Sequence, residues 1–435
     1  MRAARNRDGA SVEPRTLASA PPRTPVPTLL ALNSYHYRRG GADVAYLDQS
    51  ELFRRNGWEV ASFSMNHPQN LPSPWQRYFV KEIEFGRKYS RLRMLENAAK
   101  SIYSVEAVAK VRALVRKVRP DVAHAHNIYH HLSPSVLGAV KGEGVPVFMT
   151  LHDLKLLCPA RTMWSHGEIC EACKGGRLRN VVARRCMKGS LALSSLIYVE
   201  SSVHQGLRTY QRNVDKLIAP SQFVLGKFLE WGWPAEQLVH IPNFVDAARF
   251  TPNFSAGRAF LYFGRLSDEK GLTTLVKAAA LARAPLWLVG SGPEEQGLRS
   301  LAESLGADVT FYGFKTDDAL WNLVRAARVV VVPSECYENA PMSILEAYSL
   351  GKPVIGARIG GIPEMVRDEE TGCLFESQNV DELARVLDRV AGVADAIIER
   401  WGAQARRWIE QEYSSARYYE RLVDLYSQYG VRRKA

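Results

Sequence analysis

No stretch of this chain strings together the ~18 apolar residues that a membrane-crossing helix requires, although 46% of its 435 residues are hydrophobic. The opening stretch, "MRAARNRDGASVEPRTLASAPPRTPVP", lacks the apolar run that follows the basic start of a secretory signal. It is rich in Arg, Pro and Ala, and residues 1–27 read as a disordered leader. Cysteine is scarce, six in all, and with no export signal these are expected in a reducing cytoplasm. Acids are in deficit, 45 against 57 Lys and Arg, which leaves a formal charge of +12. That balance suits anionic partners: nucleic acid, anionic lipid or phosphorylated metabolites. A charged fraction of 23% beside the apolar content excludes wholesale disorder.

What is there is strand–helix alternation. "PTLLALNSYHYRRGGADVAYLDQSELFRRNGWEVASFSM" reads as strand, glycine loop, helix and strand, and "PDVAHAH" and "VPVFMTLHD" continue the pattern. A second set runs from "DKLIAPS" through "RAFLYFG", "PLWLVGSGP", "DVTFYGF", "RVVVVPS" and "KPVIGA". The expected fold class is α/β: two tandem doubly wound Rossmann-like domains facing across a cleft. The boundaries read as a first domain over 28–205, a second over 206–390, and amphipathic C-terminal helices over 391–435 that pack back on the first domain. Ligands in such sheets sit at the carboxyl ends of the strands, and between two domains the cleft is the default site.

Chemistry gathers at those ends. "YFGRLSDEKGL" sets Arg265 and Lys270 just beyond a strand, two cations suited to a diphosphate. Alone, they would read equally as solvated surface charges. "RVVVVPSECYENAPMSILEAYSLGKPVIGA" reads as strand, turn, helix and strand, with Pro341 near the helix start and Gly351 past its end. The amides of Met342, Ser343 and Ile344 are expected to open at the helix mouth, where phosphate is favoured. Glu338 in the turn can face a sugar or its leaving group, and Glu346 can accept both hydroxyls of a ribose. The plainer alternative is acids complementing the helix dipole. It serves Glu338 well and Glu346 poorly, because Ile344 and Leu345 beside it belong to an apolar face.

Two glutamates eight residues apart after "VVVPS", with "GR…KG" about seventy residues upstream, resemble the large retaining GT-B family of nucleotide-sugar glycosyltransferases of the group 1, family 4 type. The likeness covers nearly all of the chain after the leader. It is strongest over 260–372, which includes "GSGP" and "GGIPEMVRDEETGCLF". The resemblance implies that Arg265 and Lys270 hold the donor diphosphate, that Glu338 faces the donor sugar and that Glu346 binds the ribose. It further implies donor contacts from Gly40 and Gly41 in "RRGGA", from Asp153, Gly290, Gly292, Asn339, Ala340, Met342 and Ser343, and from a base pocket around Gly313 and Phe314. His152 in "TLHD" is implied as a contact of the donor sugar. The implied reaction is retaining sugar transfer from a UDP- or GDP-sugar to a glycan or lipid-linked acceptor in cell-surface or exopolysaccharide synthesis. No covalent nucleophile and no catalytic cofactor is expected. The chain lacks a DxD carboxylate pair, so the two cations are expected to serve in place of a metal. A sugar-nucleotide 2-epimerase on the same fold is the alternative enzyme. A basic, zinc-clipped nucleic-acid-binding protein is the non-enzymatic one, and it leaves Arg265, Lys270, Glu338 and Glu346 unexplained, so no nucleic-acid partner is expected.

Two features stand outside that reading. Cys158, Cys170, Cys173 and Cys186 follow the pattern C-x11-C-x2-C-x12-C in an insertion over 158–186. Their number suits a structural zinc site; reduced loop thiols or disulfides are the alternatives. Residues 74–119 hold 12 Lys and Arg against 4 Glu. Val108, Val111, Val115 and Val118 make one helical face there. Over 75–95, Trp75, Tyr78, Phe79, Phe85 and Tyr89 interleave with Arg77, Lys81, Arg87, Lys88, Arg91 and Arg93. That pattern suits an anionic membrane surface, and hence a peripheral location on the inner face of the plasma membrane, or else a mobile acceptor loop.

Overall fold

The computed structural model describes residues 26–82 and 91–431, and for residues 91–95 the backbone alone. Residues 1–25 of the expected leader lie outside it. Two six-stranded sheets carry the chain. The first runs in the order Glu59–Phe63, Thr28–Leu32, Val122–Ala125, Val147–Thr150, Lys216–Ala219 and Leu238–His240. The second runs Val309–Gly313, Leu286–Val289, Phe260–Phe263, Val329–Val332, Val354–Ala357 and Gly372–Phe375. Every pairing within the two sheets is parallel. Their central strands read as unbroken apolar runs because helices cover both faces; Phe260–Phe263 and Val329–Val332 are buried throughout.

The domain boundary differs from the expected one. Lys216–Ala219 pairs with Val147–Thr150, and Leu238–His240 pairs with Lys216–Ala219. Both strands therefore complete the first sheet, and the first domain ends beyond residue 240 rather than at 205. The chain alternates strand and helix straight through this region, so its periodicity carries no boundary.

The C-terminal helices divide between the domains. In Asp395–Glu412, Trp401, Ala405 and Ile409 pack into the second domain. Ser415–Ser427 crosses back, and Tyr418, Leu422 and Tyr426 bury themselves against Phe53, Trp58 and Phe148 of the first. Tyr418 Oη donates to Gln49 Oε1 at 2.8 Å, and Trp58 Nε1 donates to Tyr419 Oη at 2.9 Å. The expectation that these helices return to the first domain thus holds for the last one only.

The helix Val105–Val118 buries Val108, Val111 and Val115, with Ser104 Oγ capping its start by accepting from Ala107 N. Upstream, Phe79 is fully buried and Trp75 and Tyr78 pack on the same core. Burial removes Phe79 from the expected membrane surface, while Trp75 and Tyr78 keep part of their rings exposed. Residues 83–90, and the side chains of 91–95, lie outside the described residues. Among the described residues no helix is long and apolar enough to cross a membrane.

Candidate active site

The loops that follow the strands of the two sheets meet one another. In the second domain, the loop after Phe260–Phe263 and the loop after Leu286–Val289 interlock through Leu266 N to Ser291 O at 3.0 Å and Glu294 N to Leu266 O at 3.1 Å. A Cβ on Gly290 would lie 1.8 Å from Gly264 O, and one on Gly292 would lie 2.0 Å from Leu266 O. These two glycines are required by backbone crowding. They shape the loop that presents Arg265. Arg265 stands exposed at the rim. Gly313 ends its strand with φ of +67°, and Phe314 beyond it is 70% exposed.

Lys270 and Glu338, 68 residues apart in sequence, are bonded at 2.5 Å, and Ser334 Oγ donates to the same carboxylate oxygen at 2.6 Å. Burial works against both charges. The opposite charge of the partner overrides it, so the Lys270 ammonium lies above its ordinary value and the Glu338 carboxyl below its own. Glu338 was expected to face a sugar directly. One of its oxygens instead fixes the position of Lys270.

The helix Met342–Ser349 begins after Pro341, which is extended and is the N-cap. Ile344 N donates to Pro341 O at 3.1 Å, so its amide is not free as expected. The amides of Met342 and Ser343 remain to serve a ligand. The first domain's glycine loop faces this mouth: a Cβ on Gly41 would lie 4.0 Å from Met342 Cγ. Gly40 is the N-cap of the helix Gly41–Arg55. Ile344 and Leu345 are buried, and Ala340 and Met342 pack beside them. Glu346 is half-buried, and its carboxyl is pushed up to about 8, first by burial and then by Asp48, with Arg38 pulling the other way. Arg38 is ion-paired with Asp48, which also meets Arg249 at 3.3 Å. Arg38 and Asp48 were not singled out in the sequence, although Arg38 adjoins "RGG" and Asp48 lies on the helix that follows.

Asn339 does not lie free in the turn. Its Nδ2 donates to the Leu151 carbonyl, and its Oδ1 accepts from Ser221 Oγ at 3.1 Å. Both partners belong to the first domain, so Asn339 fastens the domains together. Glu364 does the same by accepting from Gln222 N at 2.7 Å and Phe223 N at 2.5 Å.

On the first-domain side, three imidazoles form a column. His124 and His126 stack at 4.7 Å, His126 and His152 at 5.1 Å, and His126 Nδ1 meets His152 Nε2 at 2.8 Å. Burial lowers all three, His152 to about 4, so the column is neutral at pH 7. With Nε2 occupied, Nδ1 of His152 is the nitrogen that can meet a ligand. Asp153 accepts from Lys155 N at 2.9 Å and its carboxyl is raised by burial. One of its oxygens thus caps its own turn.

The four cysteines of the insertion are free thiols that line one cavity. Among the described residues, no three His, Cys, Asp or Glu side chains already form a ligating group, so the expected zinc site is not ready-made. Cys336 and Cys373 are buried in the second domain.

Two family models match adjoining parts of the chain: Glycosyltransferase Family 4 over residues 39–249 and Glycosyl transferases group 1 over residues 246–408. Among characterised relatives, a GDP-mannose-dependent monoacylated alpha-(1-6)-phosphatidylinositol monomannoside mannosyltransferase of Corynebacterium glutamicum is 33% identical over 248 residues, 51% of this chain and 64% of that protein. The lipopolysaccharide core biosynthesis glycosyltransferase LpsE of Rhizobium meliloti is 31% identical over 198 residues, 43% of this chain and 56% of that protein. The match thus spans less than two thirds of either relative. Among solved structures, sucrose-phosphate synthase of Thermosynechococcus elongatus superposes with a TM-score of 0.67 at 23% identity, covering 93% of this chain and 99% of its own. HepE of Anabaena, in complex with UDP and glucose, does so with 0.61 at 19% identity, covering 92% and 99%. At these identities the superpositions establish the two-domain fold alone.

Proposed function

The chain belongs to the glycosyltransferases of group 1 and family 4, and we propose that it moves a hexose from a nucleotide-sugar to a glycan or lipid-linked acceptor with retention of configuration. The observation that carries this reading is the Lys270–Glu338 pair, bonded at 2.5 Å beside the open mouth of the helix Met342–Ser349. A diphosphate seated there meets the ammonium of Lys270, the guanidinium of Arg265 and the amides of Met342 and Ser343. All are aimed at charge that grows as the sugar departs. Glu346, beyond the first turn, accepts from the ribose hydroxyls. Glu338, held by Lys270 and Ser334, is poorly suited to be a nucleophile. Retention then follows from acceptor attack on the face the diphosphate has just left, with the acceptor proton passing to that diphosphate.

UDP- and GDP-sugars are the proposed donors. The Corynebacterium relative is named for GDP-mannose, and the Anabaena structure holds UDP. The names of the two relatives, one acting on a phosphatidylinositol mannoside and one in lipopolysaccharide core synthesis, support a cell-envelope acceptor. Work at the inner face of the plasma membrane is part of the same proposal.

The test is a thermal-shift panel of UDP, GDP, ADP, dTDP and their sugars, with Glu346→Ala as control. A ligand at about 100 times its Kd stabilises by roughly 2.7 kcal/mol. One nucleotide is expected to shift the protein and to lose that shift in the variant. No shift with any nucleotide removes the donor site. With a donor and acceptor in hand, NMR of the product's anomeric centre tests retention, and an inverted product overturns it.

A further inference from the structure

The insertion that carries the four cysteines has few means of holding its own shape. Between Cys158 and Cys186 its ordered elements are a two-residue antiparallel hairpin, Trp164–Ser165 with Glu168–Ile169, and single helical turns at Lys174–Gly176 and Asn180–Ala183. Five of the chain's twelve described non-glycine residues with positive φ fall in or just after it: Arg161, Met163, His166, Arg185 and Lys188. Left-handed backbone at such residues is unfavourable and persists only where its surroundings enforce it. Small irregular units of this kind are ordinarily stapled by disulfides or a metal, and the cysteines here are unpaired.

The fold brings all four of them together. Cys158, Cys170, Cys173 and Cys186, distant in sequence by up to 28 residues, line a single cavity of about 10 Å³. That is the room of about one water-sized sphere. Its other walls include Trp164, Val181 and Arg184. Cations outnumber acids around it: residues 174–188 hold Lys174, Arg177, Arg179, Arg184, Arg185 and Lys188, against Glu168, which meets Arg184 at 3.8 Å, and Glu171. Four thiolates around one divalent cation leave a net charge of −2, which such a shell neutralises.

The insertion also reaches the other domain. Trp164 Nε1 donates to Asp268 Oδ2 at 3.0 Å, two residues before Lys270. Tyr337 Oη, next to Glu338, donates to Glu171 Oε1 at 3.1 Å, and Lys227 Nζ meets the same oxygen at 2.6 Å. Glu171 lies between Cys170 and Cys173.

We propose that Cys158, Cys170, Cys173 and Cys186 bind one zinc ion as a tetrathiolate, and that this clip braces the insertion against the loops carrying Lys270 and Glu338. The side chains turn inward about the cavity they already line, and the thiol protons leave to solvent as the metal enters. The metal is structural, since four thiolates leave no open position for a substrate.

Elemental analysis of the full chain, purified without chelator, is expected to give about one zinc per chain. Titration of the native protein with p-hydroxymercuribenzoate is expected to release that zinc in step with thiol modification, read with a chromogenic chelator. Protein that carries no zinc, or that holds iron instead, overturns the metal assignment. Cys170→Ser/Cys173→Ser is expected to lose the zinc. Because that variant can also misfold, the mercurial release on the unaltered chain is the deciding measurement.

The bracing role rests on the glycosyltransferase reading and is tested apart from it. Trp164→Phe and Glu171→Gln are expected to keep the zinc and to weaken binding of the nucleotide found by thermal shift about 5- to 20-fold. Unchanged affinity with zinc retained removes the bracing role. Failure of the unaltered protein to bind any nucleotide counts against the proposed function and leaves the zinc content as an independent reading.

Discussion

The two walls of the interdomain cleft are built on opposite electrostatic terms. On the second-domain wall, charge is deliberate and paired: Lys270 and Glu338 keep each other ionised despite burial. On the first-domain wall, three stacked histidines are held neutral by burial. The proposed nucleotide-sugar donor has a like asymmetry, an anionic diphosphate joined to an uncharged sugar ring. Glu346 sits on the charged wall but faces the first domain, and its carboxyl, at about 8, is closer to the neutral regime. Side chains eight residues apart on one segment are thus set to opposite protonation tendencies by what each one faces.

The comparison breaks most visibly at Lys270. Lys270→Met removes the one cation bonded to Glu338 and leaves that carboxylate unpaired. The expected loss in kcat/KM is about 10²- to 10³-fold, the scale for a preorganised electrostatic contact, measured by steady-state kinetics. His152→Gln, on the neutral wall, keeps a hydrogen-bonding side chain and is expected to cost only about 10-fold, by the same assay, as one uncharged contact. Equal losses at the two positions would mean that the walls do not divide the work by charge.

Glu346 sharpens the contrast through pH. Its carboxyl is raised in the fold above the ordinary 4.5, so between about 4.5 and 8 the folded chain binds more protons than the unfolded one. Stability from this group is present at low pH, declines as pH rises through that window and is lost above about 8. Glu346→Gln is therefore expected to raise Tm relative to the unaltered chain at pH 9 but not at pH 5. The expected gain is about one degree, about 1 kcal/mol after allowance for solvent screening. Nucleotide affinity should rise between pH 7 and 9 in the unaltered chain, because the proposed ribose contact needs the carboxylate, and should be flat in the variant. Titration calorimetry at the two pH values reads both.

The smallest effect is expected at Arg38. Its pair with Asp48 is partly exposed, and such pairs contribute about 0–1 kcal/mol to stability. Arg38→Gln should leave Tm nearly unchanged while shifting the pH midpoint of nucleotide binding upward, since Arg38 is the cation that favours ionised Glu346.

How much of this was legible follows from distance along the chain. The pattern Arg265, Lys270, Glu338, Glu346 was readable because each residue sits in a short strand–turn–helix signal whose local chemistry names its place. The partners that set their states were not. Ser334 is an unremarked residue of the same turn, while Arg38 and Asp48 come from the other domain, some 300 residues away. The structural bonds of Asn339 and Asp153 were hidden for a related reason. A polar residue beside a motif invites a ligand, but a buried amide or carboxylate takes the nearest backbone group first, here the Leu151 carbonyl and the Lys155 amide. For Gly290 and Gly292, only the neighbouring loop at Gly264–Leu266 reveals the crowding that requires glycine.

By itself the sequence determined the two parallel α/β sheets, through strand–helix alternation and buried apolar runs, and it determined the strand-end stations of the charged residues. Both follow from local periodicity and from the turn signals that end each strand. The tertiary structure alone decided where one sheet stops and the next begins, that the last helix returns to the first domain, that four cysteines share one cavity, and which glutamate is ionised. Each of these depends on what lies across a gap from the residue concerned. Hydrogen-bond partners, burial and the field of a distant charge have no representation in the spacing of residues along the chain.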